Sequence, residues 1–234
     1  DALEMADKFY RENKDAVCVI GMYAKEPANK RWIHYYQAFW KYYTWTPSPK
    51  YFSFFIASCG TIKRKTFLEL NGFNARYKEA DVEDYEFGYR VNKSHKIFLN
   101  PGMQGYHHFP YLKSVVKNYF KRSVQWFLLF FRRRKFDSGV ASASYGASFI
   151  FSTVSLLLLI LLVFTLDMAF FYLFAAFFFV FLSFHSRFYS LAFSEKGFPF
   201  MLYCILISYM VSLVVTAGIG TSILKQINLK VMKD

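Results

Sequence analysis

The sequence predicts an α/β domain followed by an α-helical transmembrane domain, and three observations carry that division. Of the 29 lysines and arginines, 24 lie in residues 1–137, together with 13 of the 16 acidic residues. The rest of the chain is nearly uncharged although the whole is basic, with a formal net charge of +13. Hydrophobic residues make up 55% and Phe alone counts 30, more apolar than an average soluble domain. Finally, short apolar runs alternate with helical periods in the first half, whereas the second half is built of long uncharged stretches.

Taken in order, Asp1 to Arg11 reads as an amphipathic helix. Leu3, Ala6, Phe9 and Tyr10 share one face; Asp1, Glu4, Asp7, Lys8 and Arg11 share the other. Ala16 to Met22 is a continuous apolar run with Gly21 near its end, the pattern of a buried strand. Trp32 to Trp45 is dense in aromatic residues with Lys30, Arg31 and Lys41 interleaved, and Thr46-Pro47-Ser48-Pro49 ends it. Aromatic and basic residues together suit nucleic-acid stacking, but core packing and membrane interfaces use them more often. Lys96 to Leu99 is a second, shorter strand.

Leu112 to Phe127 is the clearest amphipathic helix, with Leu112, Val115, Val116, Tyr119, Phe120, Val124 and Phe127 at helical spacing and Lys113, Lys117, Lys121 and Arg122 opposite. From Lys113 to Lys135 there are eight basic residues and no acid. Such a helix is drawn to anionic lipid headgroups. Nucleic acid is a poor fit as the partner, because the basic run leads straight into a hydrophobic span. Residues 139–166, 168–186 and 197–224 carry no charge, and a span needs about 20 apolar residues, so three transmembrane helices are expected. Only Asp167 interrupts the first two, which implies a tight hairpin. The basic segment places the polar domain in the cytoplasm, although three spans then carry Lys225, Lys230 and Lys233 to the other side. The expected division is therefore 1–111, 112–137, 138–226 and a tail, 227–234.

Three scattered cysteines, Cys18, Cys59 and Cys204, support neither a disulfide framework nor a zinc site.

The most informative stretch is Glu79 to Glu86, five carboxylates in eight residues of a basic chain. Like charges this close raise one another's pKa, so such a cluster usually faces a cation or a basic substrate; a solvated acidic loop is the plain alternative. Around it stand, in order, Ser58-Cys59-Gly60, Lys63-Arg64, Gly72-Phe73, the pair Glu83-Asp84 leading to Arg90, the strand Lys96–Leu99, and His107. This ordered set resembles the second half of the catalytic domain of a membrane-integrated family 2 (GT-A fold, Rossmann-like) glycosyltransferase. The resemblance covers about residues 1–126. Arg122-Ser123-Val124-Gln125-Trp126 holds the residues of that family's Gln-x-x-Arg-Trp element in the wrong order, so no role is carried over to it.

The resemblance implies transfer of a sugar, with inversion, from a nucleotide-sugar to a lipid-linked or polysaccharide acceptor at the cytoplasmic membrane face. Asp84 would be the base that takes the acceptor proton and Glu83 its support; a helix N-cap is the plain alternative for Asp84. Ser58, Cys59 and Gly60 would form the turn beside the donor sugar. Lys63 and Arg64 would contact substrate, or be ordinary strand-end cations. Arg90 would contact substrate, or simply pair with Glu86 one turn back. His107 would complete a divalent cation site (Mn²⁺ or Mg²⁺) begun by an Asp-x-Asp motif, or be structural. No Asp-x-Asp occurs in this sequence. The donor-binding half is expected to precede Asp1, and these residues alone are expected to be inactive. The rival reading is a non-catalytic membrane protein whose basic domain binds lipid or a partner subunit.

Overall fold

The computed structural model describes residues 1–46, 50–77, 82–136 and 142–231. The expected break at Pro47-Ser48-Pro49, and Glu79 and Asp81 of the acidic stretch, lie outside the described residues. The chain divides into two compact units, one holding Asp1–Tyr111 and the other Leu112–Phe136 with Ala141–Asp234.

The first unit runs α1 (Ala2–Glu12), β1 (Cys18–Tyr23), α2 (Trp32–Trp45), β2 (Tyr51–Phe52), a 3₁₀ turn (Ala57–Cys59), β3 (Gly60–Ile62), α3 (Arg64–Glu69), α4 (Glu83–Val91) and β4 (Ile97–Gly105). Asp1 caps α1, its carboxylate accepting from the Leu3 amide at 2.9 Å. The four strands form one mixed sheet in the order β2-β4-β1-β3. β1 and β4 are parallel, while β3 and β2 pair antiparallel at either side. β1 is central and buried, as its unbroken apolar run requires. β4 outlasts the four residues that the pattern predicts because pairing resumes after a bulge. Ile20 faces Leu99, then Met22 faces Gln104. Asn100-Pro101-Gly102 is looped out between them, Asn100 Oδ1 accepting from the Gly102 amide at 3.1 Å.

One core cluster gathers Ile20, Met22, Phe52, Phe54, Phe87, Val91 and Ile97. α4 lies directly on the backbone of Phe54 and Phe55, and Gly88 is what permits it: a Cβ there would stand 2.2 Å from the Phe55 nitrogen. The aromatic helix α2 is largely interior, with Tyr36, Ala38 and Phe39 at most 2% exposed.

The second unit is helical: α5 (Leu112–Arg133), α6 (Ala143–Thr165), α7 (Met168–Phe184) and α8 (Ser186–Val231). α6 and Ser186–Ile227 of α8 are long and apolar enough to cross a membrane. α7, with 17 residues, extends about 25 Å, short of a hydrocarbon core of about 30 Å. Leu166, in the left-handed region at φ 55°, turns the chain from α6 into α7. Asp167 then caps α7 by accepting from the Ala169 amide at 2.8 Å.

Outward faces are apolar, with Leu157, Val163 and Phe179 exposed, whereas Ser148, Ser152 and Ser155 of α6 are fully buried. Small residues and hydroxyls make contacts between the helices, the pattern that suits helices surrounded by lipid. Tyr209 of α8 meets the Ser155 hydroxyl at 2.9 Å, and Thr153 meets Thr216 at 3.1 Å. α8 starts at Ser186, well before the expected 197–224, and leaves helical geometry only at Gly197. Arg187 and Lys196, whose charges between the uncharged stretches lead one to expect a return loop, are exposed residues of α8 ahead of Gly197.

Candidate functional site

The parallel pair β1 and β4 ends at Tyr23 and Gly105, and His107 follows just beyond those carboxyl ends. In open α/β sheets that is where ligands bind. The segment after β4 is fastened to the loop after β1. Ala24 donates to the Gly105 carbonyl at 3.1 Å, Ala28 to the His107 carbonyl at 3.1 Å. The Asn29 side chain bonds both ways with the Phe109 backbone, at 2.8 and 3.0 Å. These bonds hold the half-buried His107 ring on that of Tyr23, centroids 4.8 Å apart, with Phe109 edge-on at 4.9 Å. Burial first, then the nearby Lys41 ammonium and His108, push the His107 pKa below its ordinary value.

Tyr23 links this corner to the 3₁₀ turn: its hydroxyl bonds the Ser58 hydroxyl. Trp45 also stacks on Tyr23 at 5.3 Å, with the Lys41 ammonium 5.6 Å from the indole. Cys59 is buried next in line, its Sγ 3.8 Å from the Met22 carbonyl and 3.7 Å from that of Met103. Burial pushes its thiol pKa up, which makes a poor nucleophile. Gly60 opens β3. Ser58, Cys59 and His107 are thus brought together around Tyr23.

Lys63 and Arg64 are not. β3 is antiparallel to β1, with Ile62 opposite Cys18, so both follow at the amino end of β1. That is about 17 Å of strand away from Tyr23. Lys63 donates to the Lys14 carbonyl at 3.0 Å, and Arg64 is exposed as the first residue of α3.

Glu83 and Asp84 open α4, with Glu86 in the same turn. Their carboxylates sit in the first turn, at the positive end of the helix dipole. Asp84 does not cap the helix; Val82 holds that position, and Asp84 Oδ1 accepts from the adjacent Tyr85 amide at 2.8 Å. Tyr85 stacks on Phe54 at 4.2 Å, and Phe54 connects through Phe52 (5.1 Å) to Trp45 (6.4 Å). A run of aromatic rings therefore joins the start of α4 to the Tyr23–His107 corner. Arg90, nearly two turns along, is committed inside the fold. It holds both oxygens of Glu86 and the carbonyls of Leu70 and Gly72, so of its two sequence readings the pairing with Glu86 is the one that forms.

The resemblance also implies a divalent cation. Among the described residues no three His, Cys, Asp or Glu side chains lie close enough together to hold a metal ion, and no step is derived through one.

Sequence reasoning did not single out Tyr23, Asn29 or the role of Trp45. Tyr23 is simply the last residue of a strand, and Trp45 one of eight aromatics in a helix. No protein-family model, curated protein or solved structure matches the chain.

Proposed function

We propose that the first unit is the acceptor-side part of a family 2 glycosyltransferase catalytic domain, carried on a membrane-embedded helical unit with its polar face in the cytoplasm. Together with a donor-binding half it would move a sugar from a nucleotide-sugar to a lipid-linked or polysaccharide acceptor of the cell envelope, and alone it is inactive. What supports this reading is the convergence of Ser58 and His107 on Tyr23, with the Glu83-Asp84 pair opening a helix that is connected to the same corner by a run of ring contacts through the core.

In this reading the acceptor hydroxyl attacks the anomeric carbon while the bond to the nucleoside diphosphate breaks, with inversion. Its proton passes to the Asp84 carboxylate, with Glu83 beside it as support. The exposed Ser58 hydroxyl, bonded to that of the partly exposed Tyr23, offers polar contacts to a sugar hydroxyl.

The test uses the complete reading frame containing these residues, purified in membranes and assayed with nucleotide-sugars. Asp84→Asn keeps shape and removes the base, so turnover is expected to fall about 10²–10⁴-fold with little change in KM. Unchanged transfer by that variant would remove Asp84 from the reaction. An unmodified protein that transfers no sugar from any donor, yet still binds membranes, would favour the non-catalytic reading.

A further inference from the structure

α8 is written as one helix, but its contacts are incompatible with a straight rod. At 1.5 Å per residue, Tyr189 and Ser208 would stand about 28 Å apart. The Tyr189 side chain instead faces Ser208 and Cys204. Ring contacts agree: Tyr189 lies 5.9 Å from His185, His185 4.9 Å from Phe181, and Phe181 5.4 Å from Tyr209. That chain of contacts is far shorter than the about 30 Å a straight helix would place between Tyr189 and Tyr209. The fold-back is at Gly197, whose φ of 79° and ψ of 179° break the helix, two residues before Pro199.

The second arm has a direction. Tyr209 reaches Ser155 and the Ser152 carbonyl (2.9 and 3.2 Å), whereas Thr216, farther along α8, reaches Thr153 and the Phe149 carbonyl (3.1 and 3.4 Å). As α8 advances its partners on α6 recede, so the arm runs antiparallel to α6. Beyond it comes Gly218, pressed against α5: a Cβ there would meet the Phe120 carbonyl and Ser123 Cβ at 2.8 Å. The end of α8 therefore returns to the side on which α5 lies and α6 begins. The Gly197 elbow, with Glu195 and Lys196, falls toward the opposite end, where Asp167 sits in the α6–α7 turn.

We infer that the helical unit enters and leaves the bilayer through the same face, and that Lys225 joins Lys113, Lys117 and Arg122 in one basic collar that binds the headgroups of anionic lipids. All four side chains are exposed. Charge favours this arrangement over an odd number of crossings. The α5 face carries cations from both ends of the unit, and the opposite face holds Asp167, Glu195 and Lys196, with no excess of base. The arrangement replaces the expectation that three spans carry Lys225 to the far side, and it stands independently of sugar transfer.

The topology is tested with the full chain in membrane vesicles of both orientations, using a membrane-impermeant maleimide on Lys117→Cys, Lys225→Cys and Asp167→Cys, with the parent chain as the blank for its buried thiols. Labelling of Lys117→Cys and Lys225→Cys from one side, and Asp167→Cys from the other, is expected. Lys225→Cys reacting together with Asp167→Cys would overturn the inference. An independent check is the double variant Tyr189→Cys/Ser208→Cys, which should form a disulfide on mild oxidation; a straight α8 forbids it. The collar is tested by binding of fluorescent phosphatidylglycerol and phosphatidylcholine to the purified chain. Preference for the anionic lipid should fall about five-fold for each cation removed in Lys117→Gln, Arg122→Gln and Lys225→Gln. Equal binding of the two lipids by the parent, or no loss in the variants, would reject the collar.

Discussion

The Arg90 guanidinium reaches back one turn of α4 to hold both carboxylate oxygens of Glu86, at 2.9 and 3.0 Å. The same fork bonds the Leu70 and Gly72 carbonyls, at the left-handed turn of Asn71 and Gly72 that follows α3. One side chain thus closes two elements together. Both partners are about a quarter exposed or less, at 24% and 21%. Arg90→Ala removes charge-assisted bonds and strands two carbonyls, so a loss of about 2–3 kcal/mol is expected in denaturant unfolding of the full chain. Arg90→Lys should recover only part of it, since an ammonium lacks the fork.

Gly88 and Gly220 make a matched pair. A methyl group at Gly88 would drive into the backbone of Phe54 and Phe55, while at Gly220 it would meet nothing within 4 Å. Gly88→Ala is expected to cost about 3 kcal/mol or more through overpacking, seen as a large fall in melting temperature. Gly220→Ala should be neutral or stabilise by up to about 1 kcal/mol through helix propensity.

His107 and His34 both have pKa values lowered, first by burial. The folded state therefore resists protonation more than the unfolded state does. Stability from these groups is complete above the ordinary histidine value of about 6.5 and declines as pH falls from there through the lowered folded pKa. Melting temperature measured from pH 8 downward should drop in that window. Lys41→Met, which removes the cation beside His107, should raise the His107 titration midpoint seen by NMR and soften the drop. An unchanged midpoint would show that Lys41 does not reach the imidazole.

In the helical unit, Tyr209 and Ser155 share a hydrogen bond between α8 and α6. A double-mutant cycle with Tyr209→Phe and Ser155→Ala, unfolded from lipid bicelles, should give a coupling of about 0.6 kcal/mol. A coupling near zero would mean that packing alone holds these helices.

Periodicity and charge by themselves determined most of the elements: α1, the buried β1, the amphipathic α5, the uncharged helices, and the turn at Asp167. These depend on each residue's own preference for water or apolar surroundings, which repeats along the chain at the period of its element. Tertiary structure decided what local pattern cannot hold. β4 continued through Asn100-Pro101-Gly102 because β1 was there to pair with it beyond the bulge. Arg187 and Lys196 point by charge to a loop yet lie on a helix, because charge reports exposure, which a loop and a helix surface share. Tyr23 became the centre of the candidate site because Asn29 fastened the His107 segment above it and Ser58 arrived from a different turn. Those contacts join residues far apart in sequence, and their energies exist only once the chain has closed on itself.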